Sequence, residues 1–163
     1  MEVLLILLLC SAPLVGYLLF SKGGRRRKGK YAAIGLGIAL LFFASGHFAM
    51  TAGLVEMLPP WVPERELVIY ATGVLEILIA FGLFTEQWRR PAGLAAAVLF
   101  VLFLPANVYA ALNYTGIGQH KSGPGYLWMR VPLQIFLFAW ALWPVMSPDP
   151  KRDEIAGGAL RSR

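Results

Sequence analysis

Five apolar stretches, each near the length a helix needs to cross a bilayer, constrain this chain more than any other feature. They run over 3–20, 31–58, 67–84, 91–112 and 126–146. A hydrocarbon layer about 30 Å thick takes about 20 residues of helix. An open strand in lipid would leave its backbone polar groups unpaired. The pattern therefore predicts an all-α polytopic membrane bundle. The low charge agrees: 15% of residues are charged, against about 25% in a soluble domain.

The first stretch is expected to be a retained transmembrane helix. A cleaved signal carries its basic residues before the apolar run. Here Glu2 precedes the run, the basic residues follow it, and no small-residue cleavage site precedes the basic run. The expected organisation is an N-terminal helix with a basic loop over 1–30, a four-helix bundle over 31–146 and a disordered tail over 147–163.

Charge sets the expected orientation. Segment 21–30 holds Lys22, Arg25, Arg26, Arg27, Lys28 and Lys30; segment 85–90 holds Arg89 and Arg90; the tail holds Lys151, Arg152, Arg161 and Arg163. Twelve of the fifteen basic residues thus fall on one side of a five-helix path, against Arg65, Lys121 and Arg130 on the other. The positive-inside rule makes the first side cytoplasmic. The expectation is a multi-pass protein of the cell membrane with its N-terminus outside and its C-terminus in the cytoplasm. The same distribution explains the net charge of +6 as membrane topology rather than as a nucleic-acid face. The single cysteine, Cys10, rules out an intrachain thiol relay.

Two outer connections are expected. Residues 58–66, LPPWVPERE, read as a short loop stiffened by three prolines. Residues 113–125 read as a longer loop rich in glycine and polar residues. Its N-x-T sequon at Asn113 abuts the membrane and is discounted. No internal repeat of the kind that builds many transporters is visible.

An ionisable group in hydrocarbon is costly and marks a functional position by default. The candidates are His47, Glu76, Asn107, Arg130 and Gln134, with Glu56 near an outer helix end. Counting about 1.5 Å per residue from the outer ends of the stretches puts His47 at about 16 Å and Glu76 at about 14 Å. Asn107 falls at about 8 Å, Arg130 at about 6 Å and Gln134 at about 12 Å. Arg130 and Gln134 share one helix face. The set can line one outward-opening pocket with Arg130 at the mouth and His47 with Glu76 at the floor. Small residues around Glu76 (Thr72, Gly73, Ala80) and near His47 (Ser45, Ala49, Gly53) favour close packing there. Pro105 frees the carbonyl of Val101, which Asn107 or a water can satisfy. All but Glu76, a rare mid-membrane carboxylate, also have a plainer reading: His47 as a structural histidine on a backbone carbonyl, Asn107 and Gln134 as interhelical hydrogen-bonding groups, Arg130 as a snorkelling side chain. Trp88, Trp128, Trp140 and Trp143 read as interface anchors or packing. No metal site is expected.

The series GHF at 46–48, LPPWVP at 58–63, GVLEI at 73–77, LPANVYAAL at 104–112 and RVPLQ at 130–134 resembles the DoxX-like membrane proteins over about residues 34–143. The resemblance implies a four-helix core, to which the helix at 3–20 is an addition. It also implies that the polar marks are His47, Glu76, Asn107, Arg130 and Gln134. Such proteins include subunits of quinone-reducing sulfur-oxidising enzymes, factors in methylamine oxidation and associates of redox-stress proteins; members that work through thiols are a poor guide to a chain with only Cys10.

The leading functional expectation is a membrane subunit or accessory factor of a redox system that binds a lipophilic small molecule, with quinone as the candidate cofactor and a redox protein as the candidate partner. Glu76 and His47 would exchange protons or hold a polar head, and Arg130 would attract an anionic group. The alternatives are an autonomous membrane enzyme using Glu76 and His47 as acid and base, or an assembly factor whose helices dock a partner.

Overall fold

The apolar stretches are helices in the computed structural model, which describes residues 2–20, 25–113 and 123–146. The elements are α1 (Glu2–Phe20), α2 (Arg25–Ala49), the short α3 (Thr51–Val55), α4 (Arg65–Phe84), α5 (Arg89–Asn113) and α6 (Leu127–Met146), with a 3-10 turn at 123–126 leading into α6. The described residues contain no strand. Four spans, Gly29–Ala49, Arg65–Phe84, Arg89–Asn113 and Gly123–Met146, are long and apolar enough to cross a membrane; α1 contributes a shorter apolar segment, Leu5–Leu19.

The faces of α4 are those of a helix suited to contact with lipid. Its buried stripe is Ile69, Gly73, Glu76, Ile79, Ala80 and Leu83, spaced by threes and fours. Its exposed side carries Leu67, Val74, Leu75, Leu78 and Phe81. A helix that turns its carboxylate inward and its leucines outward is at home in hydrocarbon, where a polar group must find its partner inside the bundle. On α5 the buried side is mostly small, with Ala92, Gly93, Ala96, Ala97, Ala110 and Ala111. Small residues let backbones approach closely where lipid removes the usual hydrophobic drive.

The four long helices pair as α2 with α4 and α5 with α6, and the pairs meet along α4–α5 and α2–α6. One buried cluster runs through them, from Leu36 and Leu40 on α2 to Leu133, Leu137 and Ala141 on α6. The Trp140 indole, read from the sequence as an anchor or packing group, donates to the carbonyl of Ala32 at 3.0 Å and ties α6 to α2. Helix α1 lies on α2. The approach is close enough that a Cβ at Gly35 would fall 1.9 Å from the carbonyl oxygen of Cys10, so only glycine fits. Further along, Tyr17 stacks on Tyr31 with ring centres 4.4 Å apart.

Three boundaries depart from the sequence reading. The second stretch does not run unbroken to Leu58: α2 stops at Ala49 and Met50 leaves the helical region (φ −128°, ψ 32°). The Thr51 hydroxyl takes the carbonyl of His47 at 2.7 Å, and α3 then starts a new turn. The connection expected to be an outer loop over 58–66 is therefore the whole of 50–64; it ends at Glu64, whose left-handed backbone (φ 46°, ψ 47°) turns the chain into α4. At the other end α2 begins at Arg25, so residues 25–30 are its first turns rather than part of a loop. The expected loop tip at 114–122 and the tail at 147–163 lie outside the described residues.

Candidate functional site

The chemistry-bearing side chains converge between the two helix pairs. Glu76, on the buried stripe of α4, is fully buried. His47 reaches it from α2, with Nδ1 3.3 Å from Glu76 Oε2. The helices can bring them together because Gly73, one turn before Glu76, offers no side chain: a Cβ there would lie 2.8 Å from His47 Cβ. Nδ1–H also has the carbonyl of Phe43 at 3.1 Å, one turn back on α2. The contact with Glu76 is thus a side interaction rather than an aligned hydrogen bond. Both carboxyl oxygens are buried without a hydrogen-bond partner among the described residues.

His47 does not lie about 16 Å below a helix end at Leu58, because α2 ends two residues after it. The pair is nevertheless covered, since 50–64 folds back over it. Leu54, Met57 and Leu58 line the same cavity as His47 and Glu76, and Met57 is buried.

The cavity has a volume of about 340 Å³, and all five candidate residues line it. Arg130, in the first turns of α6, is half-buried. Its Nε is buried without a partner among the described residues. Gln134, one turn deeper, donates Nε2–H to the carbonyl of Phe100 on α5. That acceptor is the residue before Val101, whose carbonyl Pro105 deprives of its helical donor. Asn107 donates to the carbonyl of Phe103 at 2.8 Å, where the proline argument had pointed to Val101. Gln134 thus bonds between helices as expected, whereas this bond of Asn107 stays within α5; both side chains also stand on the cavity wall.

The rest of the wall is apolar, including Phe43, Ile69, Leu99, Phe103 and Leu137. Thr72 is there too, but its hydroxyl is occupied by the Val68 and Ile69 carbonyls of its own helix at 2.9 and 2.8 Å. The roof from α3 and the aromatic wall were not foreseen. A long apolar run carries no mark of the bend at Met50, and Phe43 is one of many apolar residues in α2. Among the described residues no group of three or more His, Cys, Asp or Glu is placed to hold a metal ion.

The arrangement can grip a polar head inside an apolar chamber. A carboxyl group accepts when ionised and donates when protonated, an imidazole does either, and a guanidinium only donates. Among the described residues neither Glu76 Oε1 nor Arg130 Nε has a hydrogen-bond partner.

No curated protein and no solved structure matches the chain. One family model, described as a domain of unknown function (DUF8561), matches residues 36–145, a span that contains every residue lining the cavity. The chain belongs to the DUF8561 family.

Proposed function

We propose that this protein is a membrane subunit or accessory factor of a redox system, and that its cavity holds a lipophilic molecule with a hydrogen-bonding head, a quinone being the chemical type. The observation that carries the reading is the carboxyl of Glu76. It is fully buried, both oxygens lack a hydrogen bond among the described residues, and it faces a cavity with mostly apolar walls. Leaving a buried polar group unsatisfied costs about 1–3 kcal/mol, and a ligand head that bonds Glu76 recovers that loss. His47 sits where it can pass a proton to or from Glu76, and Arg130 Nε is free to donate to an oxygen of the head. The likeness of the polar series to DoxX-like proteins, some of which are subunits of quinone-reducing enzymes, supports the same reading. With it goes the proposed topology: α1 as a fifth span added to a DoxX-like four-helix core, N-terminus outside and C-terminus in the cytoplasm.

The contact between Glu76 and His47 also suits a second reading, an autonomous membrane enzyme in which the pair works as acid and base. Native mass spectrometry of protein released with its own lipids separates the two. A retained benzoquinone-headed molecule, lost in Glu76→Leu, supports the binding subunit. Turnover of an added substrate by the protein alone supports the enzyme. Wild-type protein that carries only phospholipid contradicts the proposal.

A further inference from the structure

Resting on that reading, we infer that the cavity is entered sideways from the bilayer, through the gap between α4 and α5, and that the occupant's apolar tail stays in this gap while its head reaches Glu76. Exposure along the wall carries the argument. Two residues of the lining are exposed large hydrophobics: Leu75 on α4, 43% exposed, and Leu102 on α5, 65% exposed. They stand on the two helices that flank the gap, so the chamber holding Glu76 is continuous with the lipid-facing surface there. At the outer end Met57 is only 6% exposed and, with Leu54 and Leu58, roofs the chamber. Toward the 85–88 turn the gap is shut, because Ile79 and Leu83 of α4 are buried in one cluster with Ala92, Ala96 and Leu99 of α5. The mouth is therefore at mid-height between α4 and α5.

Its chemistry fits a lipid-dissolved molecule. The rim is Leu75, Leu102, Phe103, Ala106 and Thr72, and the Thr72 hydroxyl is already bonded to its own helix. A water-borne solute would meet a threshold with no free polar group, whereas an alkyl or isoprenoid chain crosses it with no desolvation cost. Size points the same way. About 340 Å³ is at the small end of the roughly 300–1,000 Å³ of small-molecule sites. It takes a ring head and the start of a tail, and a longer tail must leave through the mouth.

The test uses the full-length chain in phosphatidylcholine vesicles and a decyl-benzoquinone with a photoreactive diazirine at its tail end. The labelled residues are mapped with and without excess untagged decyl-benzoquinone. The expected result is labelling removed by the competitor and concentrated on Leu75, Leu78, Val98 and Leu102. In addition, Leu102→Trp, which narrows the mouth, should slow loading of decyl-benzoquinone several-fold, while Ile135→Trp, at an exposed position outside the cavity lining, should leave it unchanged. Competed labelling on Leu54, Met57 or Leu58 would overturn the lateral route while leaving the binding reading intact. Loading that is equally fast in wild type and Leu102→Trp would also overturn the route. Absence of any competed labelling would overturn the quinone reading and the route together.

Discussion

Gly73→Ala tests whether the close contact of α2 and α4 is what brings His47 to Glu76. The added Cβ would lie 2.8 Å from His47 Cβ and 3.1 Å from Phe48 Cε2. Carbon atoms rest at about 3.5–4.0 Å, so the helices must separate by roughly 1 Å at this level. The Phe48 ring can turn aside, but His47 Cβ is fixed to its backbone, and overpacking of this kind costs about 1–3 kcal/mol. The same displacement carries Glu76 away from His47 Nδ1, now at 3.3 Å, and opens the floor of the cavity. Gly46→Ala is the control, because a Cβ there meets nothing within 4 Å; its helix-propensity gain is at most about 1 kcal/mol. Thermal unfolding of purified protein in detergent, followed by aromatic fluorescence, should show Gly73→Ala less stable than wild type and Gly46→Ala equal to it or better. Equal behaviour of the two variants would refute the claim that the helices touch at Gly73.

Removing the indole hydrogen bond in Trp140→Phe should cost about 0.5–1.5 kcal/mol in the same assay, while Trp128→Phe, at an exposed position, should change little; equal losses would show that the bond to Ala32 does not join α6 to α2. A reporter active only outside the cytoplasm should be silent when fused after Met146 and active when inserted within 116–123, and the reverse at both sites would reject the orientation. Intact-mass measurement of protein from membranes should give an N-terminus at or near Met1, whereas a start near Lys22 would show that α1 is cleaved.

Much of the fold was legible because lipid leaves a simple signature: the helix bodies of α4, α5 and α6 fall within two residues of the apolar stretches. The polar set was legible for the same reason, since Glu76 and Gln134 stand out in long apolar runs. What was hidden depends on geometry that composition does not encode. The break at Met50 lies inside an apolar run, with no proline before Pro59 to announce it. Its effect is large, because it turns the expected end of a span into the roof of the cavity. His47 and Glu76 meet even though α2 ends at Ala49 and not at Leu58, so a depth counted from Leu58 does not apply to His47. Partner choice was also hidden. The sequence shows that Pro105 frees a carbonyl, but the crossing of α5 and α6 decides that Gln134 docks one residue away, on Phe100.

The most direct test of the central claim, that Glu76 and His47 act together to hold the head of a lipophilic ligand, is a double-mutant cycle on decyl-benzoquinone affinity in vesicles. Glu76→Gln keeps the shape and removes the charge; His47→Ala removes the imidazole. If the two act as one unit, each single change weakens binding and the double variant is little weaker than the worse single, giving a coupling of about 0.5–3 kcal/mol between residues in contact. Losses that simply add, or affinity unchanged in both folded single variants, would contradict the account.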